Sequence, residues 1–245
     1  MIMPLITIKN LIKDYNINGL IVHALRNIKL TVDRGEFAAI AGPSGSGKTT
    51  LLNLIGGLDY PTRGILSVAG RDLNTMSAKE LSDMRLNRIG FIFQAYNLIP
   101  VLTALENVEY ILLLQGVDKK ARRIRSIRML EEVGLRKEIG RKPRELSGGQ
   151  QQRVAVARAI VSEPELVLAD EPTANLDQNT GSSLLDLMRG LNKGKNITFV
   201  FSTHDPMVMD YAERLISLSD GKIISDKKKK SGGKHQAKTS KSKKR

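Results

Sequence analysis

A phosphate-binding loop constrains the fold of this chain more than any other feature of its sequence. Residues 42–49 read Gly-Pro-Ser-Gly-Ser-Gly-Lys-Thr and follow the short apolar run 37–41. The pattern G-x-x-x-x-G-K-[ST] cradles phosphate where it joins a strand to a helix, and residues 48–58 have the composition of a helix. Backbone amides of such a loop point at phosphate oxygens, and the following helix adds its positive dipole end. We therefore predict an α/β nucleotide-binding domain.

Each residue of the loop has an expected contact with the nucleotide. Lys48 should reach the β- and γ-phosphates, and the Thr49 hydroxyl should bind Mg²⁺. The competing interpretation is a glycine-rich turn with an exposed lysine, and the motifs that follow along the chain disfavour it. The predicted nucleotide contacts here are Gly42, Pro43, Ser44, Gly45, Ser46, Gly47, Lys48, Thr49 and Thr50.

Charge is distributed unevenly between the body of the chain and its end. The net charge is +14, but residues 227–245 contain ten Lys/Arg and no acid. That segment lacks apolar residues to bury, so we predict a folded domain over 1–226 and a disordered Lys-rich tail over 227–245. The absence of cysteine excludes disulfides and thiolate metal sites, and it suits a reducing cytoplasm. No apolar run reaches the roughly 20 residues of a membrane span, and the N-terminus does not resemble a signal peptide.

The chain alternates between strand-like and helix-like segments. Strand patterns before residue 70 and after residue 164 surround a helical stretch at about 96–163. Such alternation predicts an α/β domain with a mainly parallel sheet, and the helical stretch is then an inserted lobe. The strand Arg214–Leu218 is predicted to be the last in the sheet region.

Two adjacent acids follow a second buried strand, residues 166–169. Asp170 at the end of that strand can hold Mg²⁺ through water, and Glu171 can act as general base toward the attacking water. The alternative is two surface acids in a loop, which is attractive only if the phosphate loop is ignored.

A third motif, Leu146-Ser147-Gly148-Gly149-Gln150, fits a helix start. Ser147 suits the N-cap, and Gln150 lies three residues later, as a capping box requires. A well-capped helix alone does not explain two glycines, which cost about 1 kcal/mol each relative to alanine. Their bare amides and the Ser147 hydroxyl form a second phosphate site, and one chain has one nucleotide loop. We therefore predict that Ser147, Gly148, Gly149 and Gln150 serve a nucleotide held by another subunit.

Three isolated residues complete the predicted site. His204 ends a strand on the ligand-binding side of the sheet, and we expect it to contact γ-phosphate or the attacking water. Gln94 ends another strand, where it can touch Mg²⁺ or water and report nucleotide state to the helical lobe. Tyr15 is expected to stack on adenine, although an aromatic residue before a turn is often only packed.

Taken together, these motifs resemble the ATP-binding-cassette (ABC) ATPases over nearly residues 4–225. They occur in the order and at the spacing of that family: the phosphate loop, Gln94, the Leu-Ser-Gly-Gly-Gln signature, Asp170-Glu171, the turn 175–177 and His204. The resemblance implies an α/β P-loop NTPase fold of the ABC ATPase type. Such a domain has a mixed β-sheet core, an N-terminal antiparallel β subdomain and an inserted α-helical subdomain.

Runs 53–59, 91–100 and 102–108 resemble the lipoprotein-releasing and macrolide-exporting (LolD- and MacB-type) subgroup. Departures are small: Tyr96 and Asn175 stand where the family more often has Phe and Ser. The resemblance implies that two copies pack head to tail around two ATP molecules. Asp177 should then lie near the junction, and the helical lobe should contact a membrane permease from the cytoplasmic side.

Alternatives remain for the partner and for the tail. A cell-division ATPase of the FtsE type stays open. An ABC protein acting on nucleic acid is disfavoured for two reasons. Such proteins carry long coiled coils or zinc modules between the ATP motifs, and only about a hundred residues separate Lys48 from Leu146 here. The tail also lacks base-stacking aromatics. The tail itself is a solvated extension, an anionic-lipid contact or a nonspecific nucleic-acid contact.

Overall fold

The computed structural model describes residues 3–229, which contain ten strands and seven α-helices. The strands, in chain order, are β1 (Ile6–Ile17), β2 (Leu20–Val32), β3 (Phe37–Ala41), β4 (Arg63–Val68), β5 (Arg71–Asp72), β6 (Ile89–Ile92), β7 (Leu166–Asp170), β8 (Thr198–Thr203), β9 (Arg214–Ser219) and β10 (Lys222–Lys228). The helices are α1 (Lys48–Ile55), α2 (Ala78–Arg88), α3 (Ala104–Leu114), α4 (Lys119–Glu132), α5 (Gly148–Ile160), α6 (Gln178–Lys195) and α7 (Pro206–Tyr211).

The strands form two sheets of different type. An antiparallel sheet has the order β2-β1-β4-β5, and its first hairpin turns at Asn18 and Gly19, both with positive φ. The main sheet has the order β10-β9-β3-β8-β7-β6, in which β10 alone pairs antiparallel. The predicted mixed core and N-terminal antiparallel subdomain are therefore confirmed.

Both faces of the main sheet are covered, which explains its continuous apolar strands. Phe37 and Ala39 of β3 face one core with α3, α5 and α6, whereas Ala38 and Ile40 face another with α1 and the antiparallel sheet. Neighbouring parallel strands end together at one edge, so β3, β7 and β8 present their following residues there. That edge carries the predicted site.

Helices α3, α4 and α5 lie within the stretch predicted to be helical. The basic run at the start of α4 continues into the apolar residues that follow it as one helix. Helix α2 was not predicted, because only Leu81 and Met84 of its residues are buried. Its capping box, Ser77 with Glu80, is nevertheless readable in the sequence. Helix α1 is shorter than predicted and ends at Ile55, since Gly56 and Gly57 follow.

The prediction that the strand Arg214–Leu218 is the last in the sheet region is wrong. Strand β10 returns along β9 and continues through Lys227 and Lys228, past the predicted start of the tail at residue 227. Arg214 is buried at the far end of this hairpin and donates to Asp226 at 2.8 and 2.6 Å and to Glu36 at 2.8 Å. These carboxylates, Asp226 foremost, raise the pKa of Arg214. The remainder of the predicted tail, 230–245, lies outside the described residues.

Candidate nucleotide site

The phosphate loop joins β3 to α1, as predicted, and its conformation requires glycine. Gly47 has φ 102°, and a Cβ there would lie 2.7 Å from the Ala24 carbonyl oxygen. A Cβ on Gly42 would lie 2.1 Å from the Leu218 carbonyl oxygen. No side chain caps the start of α1, so its first amides remain available to an anion.

Lys48 is buried against the loop that precedes it. Its Nζ donates to the carbonyl oxygens of Gly42 and Pro43, both at 2.8 Å. These acceptors are neutral, so they hold the ammonium without cancelling its charge. The arrangement presents a lysine that is ready to bind phosphate.

Thr49 and Asp170 meet at the predicted metal position. The Thr49 hydroxyl lies 3.3 and 3.2 Å from the two Asp170 carboxylate oxygens. A hydroxyl and a carboxylate are oxygen ligands of the kind that Mg²⁺ prefers, with phosphate and water filling its other positions. Within residues 3–229 no cluster of three or more His, Cys, Asp or Glu could hold a metal by itself. The donor set therefore fits a Mg²⁺ that arrives with a nucleotide.

Glu171 and His204 are in direct contact beyond the ends of β7 and β8. His204 Nδ1 lies 2.7 Å from Glu171 Oε1, and the Thr203 hydroxyl donates to Glu171 Oε2 at 3.3 Å. Glu171 has φ 46°, which is unusual for a residue other than glycine. The Glu171 amide still donates to the Ser202 carbonyl at 2.9 Å, so the main-chain pairing with β8 extends one residue beyond Asp170. The Glu171 side chain is 13% exposed and that of His204 is 63% exposed.

Gln94 follows β6 and is exposed, and its main-chain oxygen accepts from the Asn175 side-chain amide at 2.9 Å. Tyr96 and Asn97, two and three residues beyond, both have positive φ. Arg158 of α5 donates to the carbonyl oxygens of both residues. Sequence reasoning missed this arginine, because 61 residues or more separate it from the loop.

Ser147 and Gln150 form the predicted capping box at the start of α5. The Gln150 amide donates to the Ser147 hydroxyl at 3.3 Å, and the Ser147 amide donates to Gln150 Oε1 at 2.9 Å. Gly149 has a packing reason that the sequence did not reveal, since a Cβ there would lie 2.5 Å from Thr180 Cγ2. Within residues 3–229, no hydrogen bond joins the Ser147 turn to the phosphate loop.

Asp177 is the N-cap of α6 and lies beside this turn. The Thr180 hydroxyl donates to Asp177 at 2.5 Å, and the amides of Asn179 and Thr180 donate at 3.0 Å. These bonds, with that from the Thr180 hydroxyl the strongest, lower the pKa of Asp177. The starts of α5 and α6 enclose an open groove of about 340 Å³ between them, lined by Ser147, Gly149, Gln150, Arg153, Asn179, Thr180 and Ser183.

Tyr15 lies near the end of β1, half-buried beside α1. Its hydroxyl donates to Asp59 Oδ2 at 2.8 Å, and Lys13 Nζ lies 4.6 Å from the centre of its ring. Burial and the Asp59 carboxylate raise the pKa of Tyr15, and a hydrogen bond with the Thr50 hydroxyl opposes that rise. The sequence did not predict a contact of Tyr15 with either Lys13 or Asp59, although Asp59 ends the run 53–59.

None of the helices in residues 3–229 combines the length and apolar character that a bilayer-spanning helix needs.

The family model described as "ABC transporter" matches residues 25–174. An uncharacterised ABC transporter ATP-binding protein, MJ0796 of Methanocaldococcus jannaschii, is 44% identical over 228 residues, which are 91% of this chain and 97% of that protein. The lipoprotein-releasing system ATP-binding protein LolD of Legionella pneumophila is 43% identical over 89% of this chain and 96% of its own.

The macrolide export ATP-binding/permease protein MacB of a Shewanella species is 44% identical over 86% of this chain, but that match covers 32% of MacB. Among solved structures, a dimeric post-hydrolysis state of MJ0796 bound to ADP and Pi superimposes with a TM-score of 0.85 at 43% identity. It covers 91% of this chain and 98% of that one.

Proposed function

Since this chain belongs to the ABC transporter family, we propose that two copies of it pack head to tail around two ATP molecules and drive a membrane permease. As a member of that family the chain is an ATPase. The observation that carries the proposal is the division of the site. Lys48, Asp170, Glu171 and His204 share one edge of the main sheet, whereas the Ser147 turn forms no hydrogen bond with them in the described residues.

ATP binding is assigned to the phosphate loop and its neighbours. Lys48 and the loop amides hold the phosphates. Thr49 and Asp170 would hold Mg²⁺, and Gln94 would contact that ion or its bound water. Bound Mg²⁺ neutralises phosphate charge and orients the γ-phosphate. On the other copy, Ser147 and the glycine amides at the start of α5 complete the γ-phosphate cradle, with Asp177 near the junction.

Hydrolysis is assigned to the Glu171–His204 pair. Glu171 Oε2 keeps a bond to Thr203, so its carboxylate is oriented before water arrives, and it accepts a proton from the attacking water. His204 is mostly exposed and is free to turn from Glu171 toward the γ-phosphate. Because ATP binds the closed pair better than the open pair, binding shifts the pair toward closure and hydrolysis releases it.

Dimer formation through Ser147 is directly testable. We expect the Glu171→Gln variant to dimerise in Mg-ATP, and we expect the added change Ser147→Arg to leave it monomeric while each copy still binds ATP. Light scattering coupled to size exclusion measures this. Ser77→Arg is the matched control, since Ser77 caps α2 in the same capping-box geometry, its hydroxyl also accepting at 3.3 Å. A dimer that survives Ser147→Arg would contradict the shared site.

For the permease, we propose a partner of the lipoprotein-release or macrolide/peptide-export type. Identity of 43–44% with LolD and MacB over most of the chain supports this class. Through that partner the chain would lie on the cytoplasmic face of the cell membrane. The FtsE-type role in cell division stays an alternative, and identification of the co-purifying membrane subunit separates the two.

The Lys-rich tail is proposed to contact anionic lipid beside the permease. A basic residue held near such a surface contributes about 1 kcal/mol. We expect the full chain to sediment with phosphatidylserine vesicles at low salt and a chain ending at Lys229 to remain in solution. Neutral phosphatidylcholine vesicles are the control for charge. Equal sedimentation of both chains would leave the tail without this role. If the full chain instead binds DNA and the shortened chain does not, the tail would be a nucleic-acid contact.

A further inference from the structure

Tyr15 is held by two charged side chains, Lys13 and Asp59, that have no predicted role in the site. Lys13 and Tyr15 are two residues apart on β1 and therefore lie on the same face of that strand. Asp59 follows α1 in a separate loop, 44 residues from Tyr15. One Asp59 oxygen accepts from Lys13 Nζ at 2.7 Å, and the other accepts from the Tyr15 hydroxyl at 2.8 Å.

The two contacts act on different torsions of Tyr15. A hydrogen bond at the hydroxyl holds the far end of the ring and so fixes χ1. The Lys13 ammonium lies over the ring, 4.6 Å from its centre, and this attraction favours one ring plane and so fixes χ2. Together they leave the ring no freely rotating side-chain bond.

The holding groups are themselves fixed and partly shielded from water. The Lys13 side chain is 12% exposed and that of Asp59 is 28% exposed. Lys13 also donates to the Tyr60 carbonyl at 2.8 Å, and the Tyr60 amide donates to Asp59 at 2.7 Å. Although partial burial opposes it, the hydrogen bonds from Lys13, Tyr15 and Tyr60 lower the pKa of Asp59. The carboxylate therefore stays ionised.

We propose that Asp59 and Lys13 are positioning residues that set the Tyr15 ring in the plane on which the adenine base stacks. The inference rests on the proposed contact of Tyr15 with ATP. Lys13 covers one face of the ring, which leaves the opposite face for the base. A ring that is already ordered does not have to lose rotational freedom when ATP binds, and this saving favours ATP affinity.

The test compares ATP with inorganic tripolyphosphate, which shares the phosphates but has no base. For Asp59→Ala and Lys13→Met we expect ATP affinity to fall about two- to tenfold. The affinity for tripolyphosphate, measured as competition, should stay unchanged. Tyr15→Phe removes only the hydroxyl and leaves the Lys13–Asp59 pair intact, so it covers the case in which the charge variants fold poorly. It should lower ATP affinity as the two charge variants do.

Asp14→Asn is the matched control, because Asp14 lies on the same strand and pairs with exposed His23 instead. An equal loss of tripolyphosphate affinity, or unchanged ATP affinity in both Asp59→Ala and Tyr15→Phe, would overturn the positioning role. Tyr15→Ala removes the base contact itself and should lower ATP affinity about 5- to 150-fold. This variant therefore tests the base contact separately from the positioning of the ring. If Tyr15→Ala binds ATP normally, the base contact itself is wrong.

Discussion

Glu171→Gln is expected to lower ATP turnover by about 10²- to 10⁴-fold, the usual contribution of a general base. Gln keeps the size of Glu and can still bond to Thr203, but it cannot accept a proton from water. Binding of ATP should be preserved, because Lys48, Thr49 and Asp170 are untouched. Steady-state phosphate release measures the loss, and calorimetry measures the retained affinity.

The geometry makes this prediction sharp. The neighbouring Asp170 carboxylate lies against the Thr49 hydroxyl, whereas the Glu171 carboxylate contacts Thr203 and His204, so the two acids occupy different positions. Glu132→Gln, which removes a carboxylate from a surface ion pair with Lys195, should leave turnover unchanged. Turnover near that of wild type in the Glu171→Gln variant would remove Glu171 from the chemistry.

Lys48→Ala is expected to lower ATP affinity by about 10- to 150-fold, because hydrogen bonds to charged groups contribute about 1.5–3 kcal/mol each. Two carbonyl oxygens already hold the lysine side chain against the loop, so that side chain loses little conformational freedom when phosphate binds. Isothermal calorimetry with ATP measures the change.

Lys195→Ala is a suitable comparison, since that lysine lies at the end of α6 and pairs with Glu132. Thermal melting of the Lys48→Ala variant checks that the two carbonyls left without a donor do not unfold the loop. Unchanged affinity for ATP in a folded Lys48→Ala variant would contradict the assignment of the phosphate loop.

Features carried by neighbouring residues were predictable from the sequence. The phosphate loop, the capping box at Ser147 and the buried strands before Asp170 and His204 each depend on residues a few positions apart. Their common edge followed from the parallel pairing of strands. The role of each residue toward nucleotide stays a prediction that the substitutions above test.

Features that depend on distant segments were not predictable. The left-handed turn at Glu171 and the contact of Arg158 with the loop beyond Gln94 are set by packing between elements. Gly149 was interpreted through anion binding alone, whereas Thr180 of α6 also leaves no room for a side chain there. The two explanations are compatible, because the absence of a side chain at Gly149 meets both requirements.

The hairpin of β9 and β10 ties the far end of the described chain to the phosphate loop. Its turn places the Gly221 amide against the Ser46 carbonyl at 3.1 Å, and β10 then runs back to the Arg214 cluster at the other edge of the sheet. Seven residues of strand span about 23 Å. Lys229 thus lies at the end of the strands remote from the phosphate loop, so a reporter dye attached at that residue should leave the loop unobstructed.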